Sequence, residues 1–172
     1  MSVRKGDKMD GWILLKDEEE EKVWSRFYKD FRFRPSTKIS PAFSPPSPFI
    51  KYDISECHDE ELIRDLEVKS VKAFQQCTQQ GERIYALDWQ HDCYLFDARL
   101  EFPKHVSWRV DNRDWIVSIH PDGDYHFFLA RDFSWGVLGH PWENTITLYR
   151  EKFIHSLAKE QPLMLQKVVQ RG

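Results

Sequence analysis

Residues 115–153 constrain the fold most, because short apolar runs alternate there with turn-forming residues. Residues 115–120 and 125–130 flank a Pro-Asp-Gly-Asp tetrapeptide, and proline and glycine at turn positions favour a β-hairpin between the two runs. Residues 145–149 have the composition of a further strand. The stretch therefore predicts three short strands of an antiparallel sheet, with aromatic, histidine and carboxylate side chains gathered at the turns.

Three amphipathic patterns predict helices. The acidic run at residues 17–21 suits a helix N-terminus, and large apolar residues follow it at three- and four-residue steps until Pro35. Residues 58–80 form the longest helical pattern, and Gly81 provides a left-handed cap at its end. A shorter helix is predicted over residues 151–159.

Short strands are also predicted at residues 49–54, 83–88 and 93–96. Residues 35–48 contain five prolines, which can neither continue a helix nor pair as a central strand. The phenylalanines within and after this proline-rich segment indicate that it lies on the body of the protein and covers apolar surface. Residues 98–114 are predicted to form a long connection with at most a short strand.

Helices and strands are mixed in this chain without regular alternation, and strands dominate its second half. This order favours an α+β fold, in which a mainly antiparallel twisted sheet packs against two to three helices. A length of 172 residues favours one domain. We expect a flexible N-terminal extension at 1–16, the domain at 17–160 and a C-terminal tail at 161–172.

The formal net charge of −3 disfavours a protein that binds the backbone of nucleic acids, which normally carries a basic excess. No apolar run approaches the length of a membrane span, and the polar N-terminus lacks the apolar stretch of a secretory signal. Three widely spaced cysteines favour reduced thiols and a cytoplasmic location over a disulfide framework. We therefore predict neither a membrane partner nor a bound cofactor.

The chain contains none of the glycine-rich phosphate loops, the Gly-x-Ser-x-Gly elbow or the His-Glu-x-x-His motif. Dinucleotide binding, phosphoryl transfer and α/β-hydrolase chemistry are disfavoured accordingly.

One candidate site is the predicted hairpin turn, where His120, Asp122, Asp124 and His126 offer four metal-ligand types. Asp124 and His126 would point to the same face of a strand, as a metal site requires. We favour a plain turn whose aspartates bond their own backbone, because the further oxygen ligands of a calcium loop are missing. No metal is predicted.

A second candidate is the string from Gly139 to Glu143, in which glycine and Pro141 would present His140 and Glu143 at a fixed angle. Such a pair suits general acid–base catalysis or contact with a ligand. The structural alternative is a turn anchored by buried Trp142, with His140 bonded to the backbone, and we favour it.

A third candidate is the string from Asp88 to Cys93. A cysteine two residues from His91 is reminiscent of a Cys–His nucleophile, but nothing in the sequence lowers the pKa of this thiol. We favour a packed thiol for Cys93, with Asp88, Gln90 and His91 as the polar lining of a cleft.

Several of these strings belong to a set of motifs spread over nearly the whole chain. They are Trp-Ser-Arg-Phe at 24–27, Phe-Arg-Phe-Arg-Pro at 31–35, Tyr-Ala-Leu-Asp-Trp-Gln-His at 85–91, Pro-Asp-Gly-Asp-Tyr at 121–125 and Phe-x-x-Gly-x-x-Gly-His-Pro-Trp-Glu at 133–143. The set resembles the bacterial domain-of-unknown-function family 2716 over residues 22–155. The resemblance implies a small cytoplasmic bacterial protein without an agreed activity. The order of elements over residues 123–159 is also similar to that of bacterial immunity proteins, which is an analogy of fold only.

The absence of a catalytic signature favours a non-enzymatic binding module, with another protein as its partner, of the immunity or antitoxin type. The candidate binding residues are Trp89, Gln90, His91, Asp122, Asp124, Trp135, His140, Trp142 and Glu143. The alternative is a small-ligand-binding protein or enzyme that uses His91, His140 and Glu143 in an aromatic pocket. Binding of single-stranded nucleic acid by the aromatic residues is a third reading, which the net charge disfavours.

Overall fold

A computed structural model describes residues 11–38, 41–100 and 115–172, which form three helices and eight strands. In chain order these are β1 Trp12–Leu14, α1 Asp17–Asp30, β2 Phe49–Asp53, α2 Glu60–Cys77, β3 Ile84–Asp88, β4 Tyr94–Phe96, β5 His126–Leu129, β6 Gly136–His140, β7 Thr145–Tyr149, α3 Glu151–Ala158 and β8 Lys167–Arg171. The three predicted helices and the strands predicted at 49–54, 83–88, 93–96, 125–130 and 145–149 are all present, with ends that differ by a few residues.

All eight strands belong to one sheet, in the order β1-β4-β3-β5-β6-β7-β2-β8. Every pair of neighbouring strands is antiparallel. The predicted α+β class, with an antiparallel sheet and up to three helices, is confirmed.

Helix α1 covers one face of the sheet, which we call the α1 face. Its acidic first turn stabilises the positive end of the helix dipole, and its buried Phe27 stacks on Phe127 of β5 with ring centroids 4.5 Å apart. The proline-rich segment lies on the same face: Phe43 is buried there, and the Arg34 amide donates to the Ala42 carbonyl at 2.7 Å. The segment thus covers apolar surface rather than linking two domains.

Helices α2 and α3 cover the opposite face, which we call the α2–α3 face. Successive strand residues alternate between the faces, so Phe128 points away from Phe127 and packs on Phe74 of α2, with ring centroids 5.7 Å apart. Phe74 also stacks on Phe153 of α3 at 5.3 Å. A separate hydrophobic cluster therefore fills each face of the sheet.

The strand predicted at residues 115–120 is wrong. These residues form bends that cover the α2–α3 face, where Trp115, Val117 and Ile119 are buried. The predicted hairpin partner, β5, instead pairs with β3 and β6. Alternate burial along a segment lying on a sheet produces the same apolar pattern as a strand, which explains the error.

Strand β6 was not predicted, because its glycines indicated a turn. Gly136 and Gly139 are instead strand residues in close contacts: a Cβ at Gly136 would lie 2.6 Å from the Phe128 carbonyl oxygen, and one at Gly139 would lie 2.9 Å from Cβ of Pro121. The turn follows the strand, where Asn144 adopts a φ of 55°. Glycine therefore marks close packing here rather than a change of chain direction.

Two strands lie in stretches that are predicted to be an extension and a tail. Strand β1 pairs with β4 at one edge of the sheet, and β8 pairs with β2 at the other. Of the predicted connection at 98–114, the part from residue 101 lies outside the described residues, as do residues 1–10 of the extension. No helix among the described residues is both long and apolar enough to cross a membrane.

Candidate functional site

Most of the predicted site residues lie where the central strands begin and end. We call this border of the sheet an edge as well, although it runs across the strands rather than along the outermost ones. Because the strands are antiparallel, this edge contains the ends of β3 and β6 and the starts of β5 and β7. Asp88 pairs with His126, which pairs in turn with Gly139. The bend after β3 and the bend after β6 are therefore neighbours.

The two faces of the sheet divide these residues into two groups. Asp88 and His126 are cross-strand partners and point toward the α2–α3 face, like Phe128 two residues along. His140 follows Gly139, the partner of His126, and so points toward the α1 face. We call Asp88, His91, Asp124 and His126 the carboxylate–histidine cluster, and Tyr28, Trp89, Tyr125 and Trp142 the aromatic row.

A tight turn after β3 builds one half of the carboxylate–histidine cluster. The His91 amide donates to the Asp88 carbonyl at 3.0 Å, and Gln90 within the turn has a φ of 65°. This geometry brings Nδ1 of His91 to 3.1 Å from Oδ1 of Asp88 and to 3.0 Å from the Trp89 carbonyl oxygen. The Asp88 carboxylate raises the pKa of His91 by charge attraction.

The start of β5 provides the other half. Oδ1 of Asp124 accepts the Tyr125 amide at 2.9 Å, and Oδ2 lies 3.5 Å from Nδ1 of His91. Nε2 of His126 lies 3.4 Å from Oδ1 of Asp88, while its Nδ1 contacts the Ser118 carbonyl oxygen at 2.7 Å. Burial raises the pKa of Asp124, since removal from water disfavours its charged form.

The cluster has the residue types of a metal site. One ligand atom each from Asp88, His91 and Asp124 lie within 4.8 Å of one another, and His126 adjoins Asp88. Imidazole and carboxylate groups together bind divalent transition metals.

The aromatic row on the α1 face is centred on Tyr125. Its ring centroid lies 5.7 Å from Trp89 and 5.0 Å from Trp142, and both contacts are edge-to-face. The Trp89 indole donates to the Tyr28 hydroxyl at 2.9 Å, and the Tyr125 hydroxyl is hydrogen-bonded to Ser36. Trp142 is 41% exposed and Tyr28 is 40% exposed, so the row begins and ends at the surface. The prediction that a buried Trp142 anchors the turn after His140 is therefore wrong.

Beside this row, His140 is held by the backbone. Its Nδ1 accepts the Glu143 amide at 3.1 Å, and burial lowers the pKa of this histidine. The Glu143 carboxylate contacts Nζ of Lys51 at 2.8 Å and accepts the Thr145 hydroxyl at 2.9 Å. Burial alone would raise the pKa of Glu143, but these contacts outweigh it and lower the pKa. The carboxylate is thus paired with Lys51 rather than with the imidazole.

The remaining predicted residues have other positions. Trp135 precedes β6 at the opposite edge of the sheet and stacks on Phe153, with ring centroids 5.2 Å apart. Gln90 and Asp122 are exposed in the two turns at the cluster. Cys93 is buried, and burial raises its pKa to about 12, so the thiol is not activated as a nucleophile.

Four residues of this edge lie outside the predicted set of binding residues: Asp88, which was predicted only as the polar lining of a cleft, His126, which was weighed only as a metal ligand, and Tyr125 and Lys51. The first two carried a signal, because Asp88 and His91 span one turn and Asp124 and His126 share one strand face. Lys51 carried none, since it comes from β2, far away in the chain.

Comparisons with known proteins agree with the resemblance stated above. A family described as "Protein of unknown function (DUF2716)" matches residues 14–154. The chain is also similar to the "Uncharacterized protein YxiI" of Bacillus subtilis (strain 168), with 32% identity over 166 residues, 92% of this chain and 99% of that protein. No solved structure matches this chain. The chain therefore belongs to the DUF2716 family of proteins of unknown function.

Proposed function

We propose that this protein is a non-enzymatic binding module that contacts another protein through the aromatic row. The observation that carries the proposal is the combination of exposed and anchored rings: Trp142 and Tyr28 are exposed, while Tyr125 between them is buried. Tryptophan and tyrosine dominate the binding energy of protein interfaces, because a rigid ring buries a large area at a small entropic cost.

The charge beside the aromatic row supports a partner with basic groups. Glu20, Trp24 and Tyr28 are spaced four residues apart along α1 and so lie on one side of the helix. Glu20 interacts with the thiol of Cys93, which places the acidic start of α1 next to the turn that holds Trp89. A toxin masked by an immunity protein or antitoxin is the kind of partner that we propose, and its basic residues would face this helix.

The alternative, an enzyme or small-ligand site that uses His91, His140 and Glu143 together, has less support. His91 contacts Asp88, which points toward the α2–α3 face, whereas His140 points toward the α1 face. The cytoplasmic location is part of our proposal, and it is supported by the free state of all three cysteines.

The test is co-purification of the full-length protein with its partner from the native host. The wild type is compared with Trp142→Ala and with the control Leu163→Ala. The control removes an exposed apolar side chain that follows α3 and is not part of the aromatic row. We expect one protein, captured in a stoichiometric amount by the wild type and the control and lost with Trp142→Ala. With the purified partner, Trp142→Ala should raise Kd by about 30-fold or more.

Two results would contradict the proposal. One is a captured protein that Trp142→Ala and Tyr28→Ala retain as well as the wild type does. The other is a wild-type protein that elutes alone and captures nothing at the same concentration.

A further inference from the structure

We propose that the carboxylate–histidine cluster binds one divalent first-row transition-metal ion, with Zn²⁺ as the reference ion. Its ligands would be Asp88, His91, Asp124 and His126. This site lies on the other side of the sheet edge from the aromatic row, and the inference does not depend on the proposed protein partner.

The distances within the cluster fit a tetrahedral ion. Zn²⁺ binds imidazole nitrogen and carboxylate oxygen at about 2.0–2.2 Å, so neighbouring ligand atoms in a tetrahedron lie about 3.3–3.6 Å apart. Nδ1 of His91 lies 3.5 Å from Oδ2 of Asp124, and Nε2 of His126 lies 3.4 Å from Oδ1 of Asp88. The contact of His91 with Asp88, at 3.1 Å, is slightly shorter. The ligand atoms of Asp88, His91 and Asp124 thus lie within 4.8 Å of one another, and His126 adjoins them through Asp88. Because Nδ1 of His91 also contacts the Trp89 carbonyl oxygen at 3.0 Å, binding an ion through this atom requires the turn to give up that contact.

His126 provides an independent indication, because this side chain is only 5% exposed and points into the cluster. Its Nδ1 lies 2.7 Å from the Ser118 carbonyl oxygen and must carry a hydrogen there, since a carbonyl only accepts. Nε2 is then the ring nitrogen left for an ion, and among the described residues it faces the Asp88 carboxylate at 3.4 Å. A backbone carbonyl that fixes the tautomer in this way is the usual second contact of a metal-binding histidine.

The charge of the cluster also fits a dication. Asp88 and Asp124 bring two negative charges, and no lysine or arginine in the described parts of the chain contacts either carboxylate. Among the described residues, the imidazoles of His91 and His126 are the ionisable groups that pair with these carboxylates. A Zn²⁺ ion would neutralise both carboxylates and leave the two imidazoles uncharged.

The full-length protein, stripped of metal with a chelator, is titrated with Zn²⁺ by calorimetry at neutral pH, and with Co²⁺ by visible absorption. Three variants remove ligands. Asp88→Asn keeps the shape of the side chain, His126→Asn keeps a donor for the Ser118 carbonyl, and His91→Ala changes only an exposed turn. The control is His155→Gln, which removes an exposed imidazole of α3.

We expect one Zn²⁺ per chain and the intense visible bands of tetrahedral Co²⁺ for the wild type and the control. Each ligand variant should raise Kd at least about tenfold and lose these bands. Circular dichroism of the metal-free variants identifies any that fail to fold, and His91→Ala keeps the test decisive in that case. The inference is overturned by a wild type that binds no Zn²⁺, or by His91→Ala binding Zn²⁺ as tightly as His155→Gln does. Neither result bears on partner binding through Trp142.

Discussion

Trp135 and Trp142 lie at the two ends of β6 and differ in what surrounds their indole rings. Trp135 is 3% exposed, and its ring stacks on those of Phe153 and Phe74 with centroids 5.2 Å and 5.9 Å away. Trp142 projects from the turn after His140 and contacts Tyr125 edge-to-face. The first tryptophan therefore contributes to the core, and the second lies at the surface.

Replacing each tryptophan by alanine should separate these roles. Trp135→Ala should lower the free energy of unfolding by about 3–5 kcal/mol, because it leaves a cavity between aromatic rings. Trp142→Ala should change it by less than about 1 kcal/mol. Urea denaturation measures both values, and equal losses of stability would contradict the assignment of Trp142 to the surface.

His140 should make the stability of the protein depend on pH. Burial lowers the pKa of His140 in the folded state below its unfolded value of about 6.5, while Glu143 and Lys51 beside it act in opposite directions. As the pH falls below about 6.5, the unfolded chain binds a proton before the folded protein does, so the stability decreases until the pH reaches the folded pKa.

The variant His140→Asn tests this dependence, since its side-chain oxygen can still accept the Glu143 amide. We expect a curve of unfolding free energy against pH that is flatter below pH 6.5 than that of the wild type. The same slope in both proteins would show that another group causes the loss.

At the scale of single elements, sequence patterns correctly predicted those helices and strands whose structure depends on residues close together in the chain. The three helices and strands such as β3 and β7 follow from apolar periodicity together with flanking turn residues. Strand β6 and residues 115–120 were misassigned, because close packing across the sheet decides their structure. Neither the contact of Gly139 with Pro121 nor the packing of Trp115 against Phe96 and Phe128 is encoded within a short window of sequence.

In the candidate site, too, the arrangement of residues within one strand was predictable, and contacts between strands were not. Asp124 and His126 share a strand, so their common face follows from the sequence alone. Their contact with Asp88 and His91 requires the pairing of β3 with β5, and the hairpin predicted for β5 pointed to a different partner. Lys51 reaches Glu143 only because β2 lies beside β7.

Strand β8 should be necessary for stability, although its residues are exposed. It pairs with β2 along its length, and Phe49 and Gly172 exchange two backbone hydrogen bonds, of 2.9 and 3.0 Å. A chain that ends at Gln166 loses these bonds, and we expect its free energy of unfolding to fall by about 2–4 kcal/mol. Strand β2 would also become an open edge, which favours aggregation.

Chemical denaturation and size-exclusion chromatography of the truncated chain test this prediction. The control is Val169→Ala, which removes an exposed side chain and leaves the strand pairing intact. A truncated chain as stable and as monomeric as the control would mean that β8 contributes little.

At the scale of the whole molecule, one sheet supports two hydrophobic clusters. Strand β5 illustrates the arrangement, because Phe127 belongs to the cluster on the α1 face and Phe128 to the cluster on the α2–α3 face. If the cluster on one face came apart, the apolar side chains on that side of the strands would be exposed to water. The same strands carry the cluster on the other face, so that cluster would lose its support. The two clusters should therefore unfold together.

A variant on each face tests this coupling. Phe27→Ala affects the α1 face and Phe74→Ala the α2–α3 face, and each should destabilise the protein by about 3–5 kcal/mol. Tryptophan fluorescence and far-ultraviolet circular dichroism should report one coincident urea transition in both variants. Two separate transitions in either variant would show that the faces unfold independently.

Strand β2 has its two neighbours, β7 and β8, in the last third of the chain. A nascent polypeptide leaves the ribosome N-terminus first, so Phe49–Asp53 emerges long before either neighbour has been translated. During that interval β2 has no neighbouring strand with which to form backbone hydrogen bonds. The strand pairings on which β2 depends can consequently form only after Thr145–Tyr149 has been synthesised.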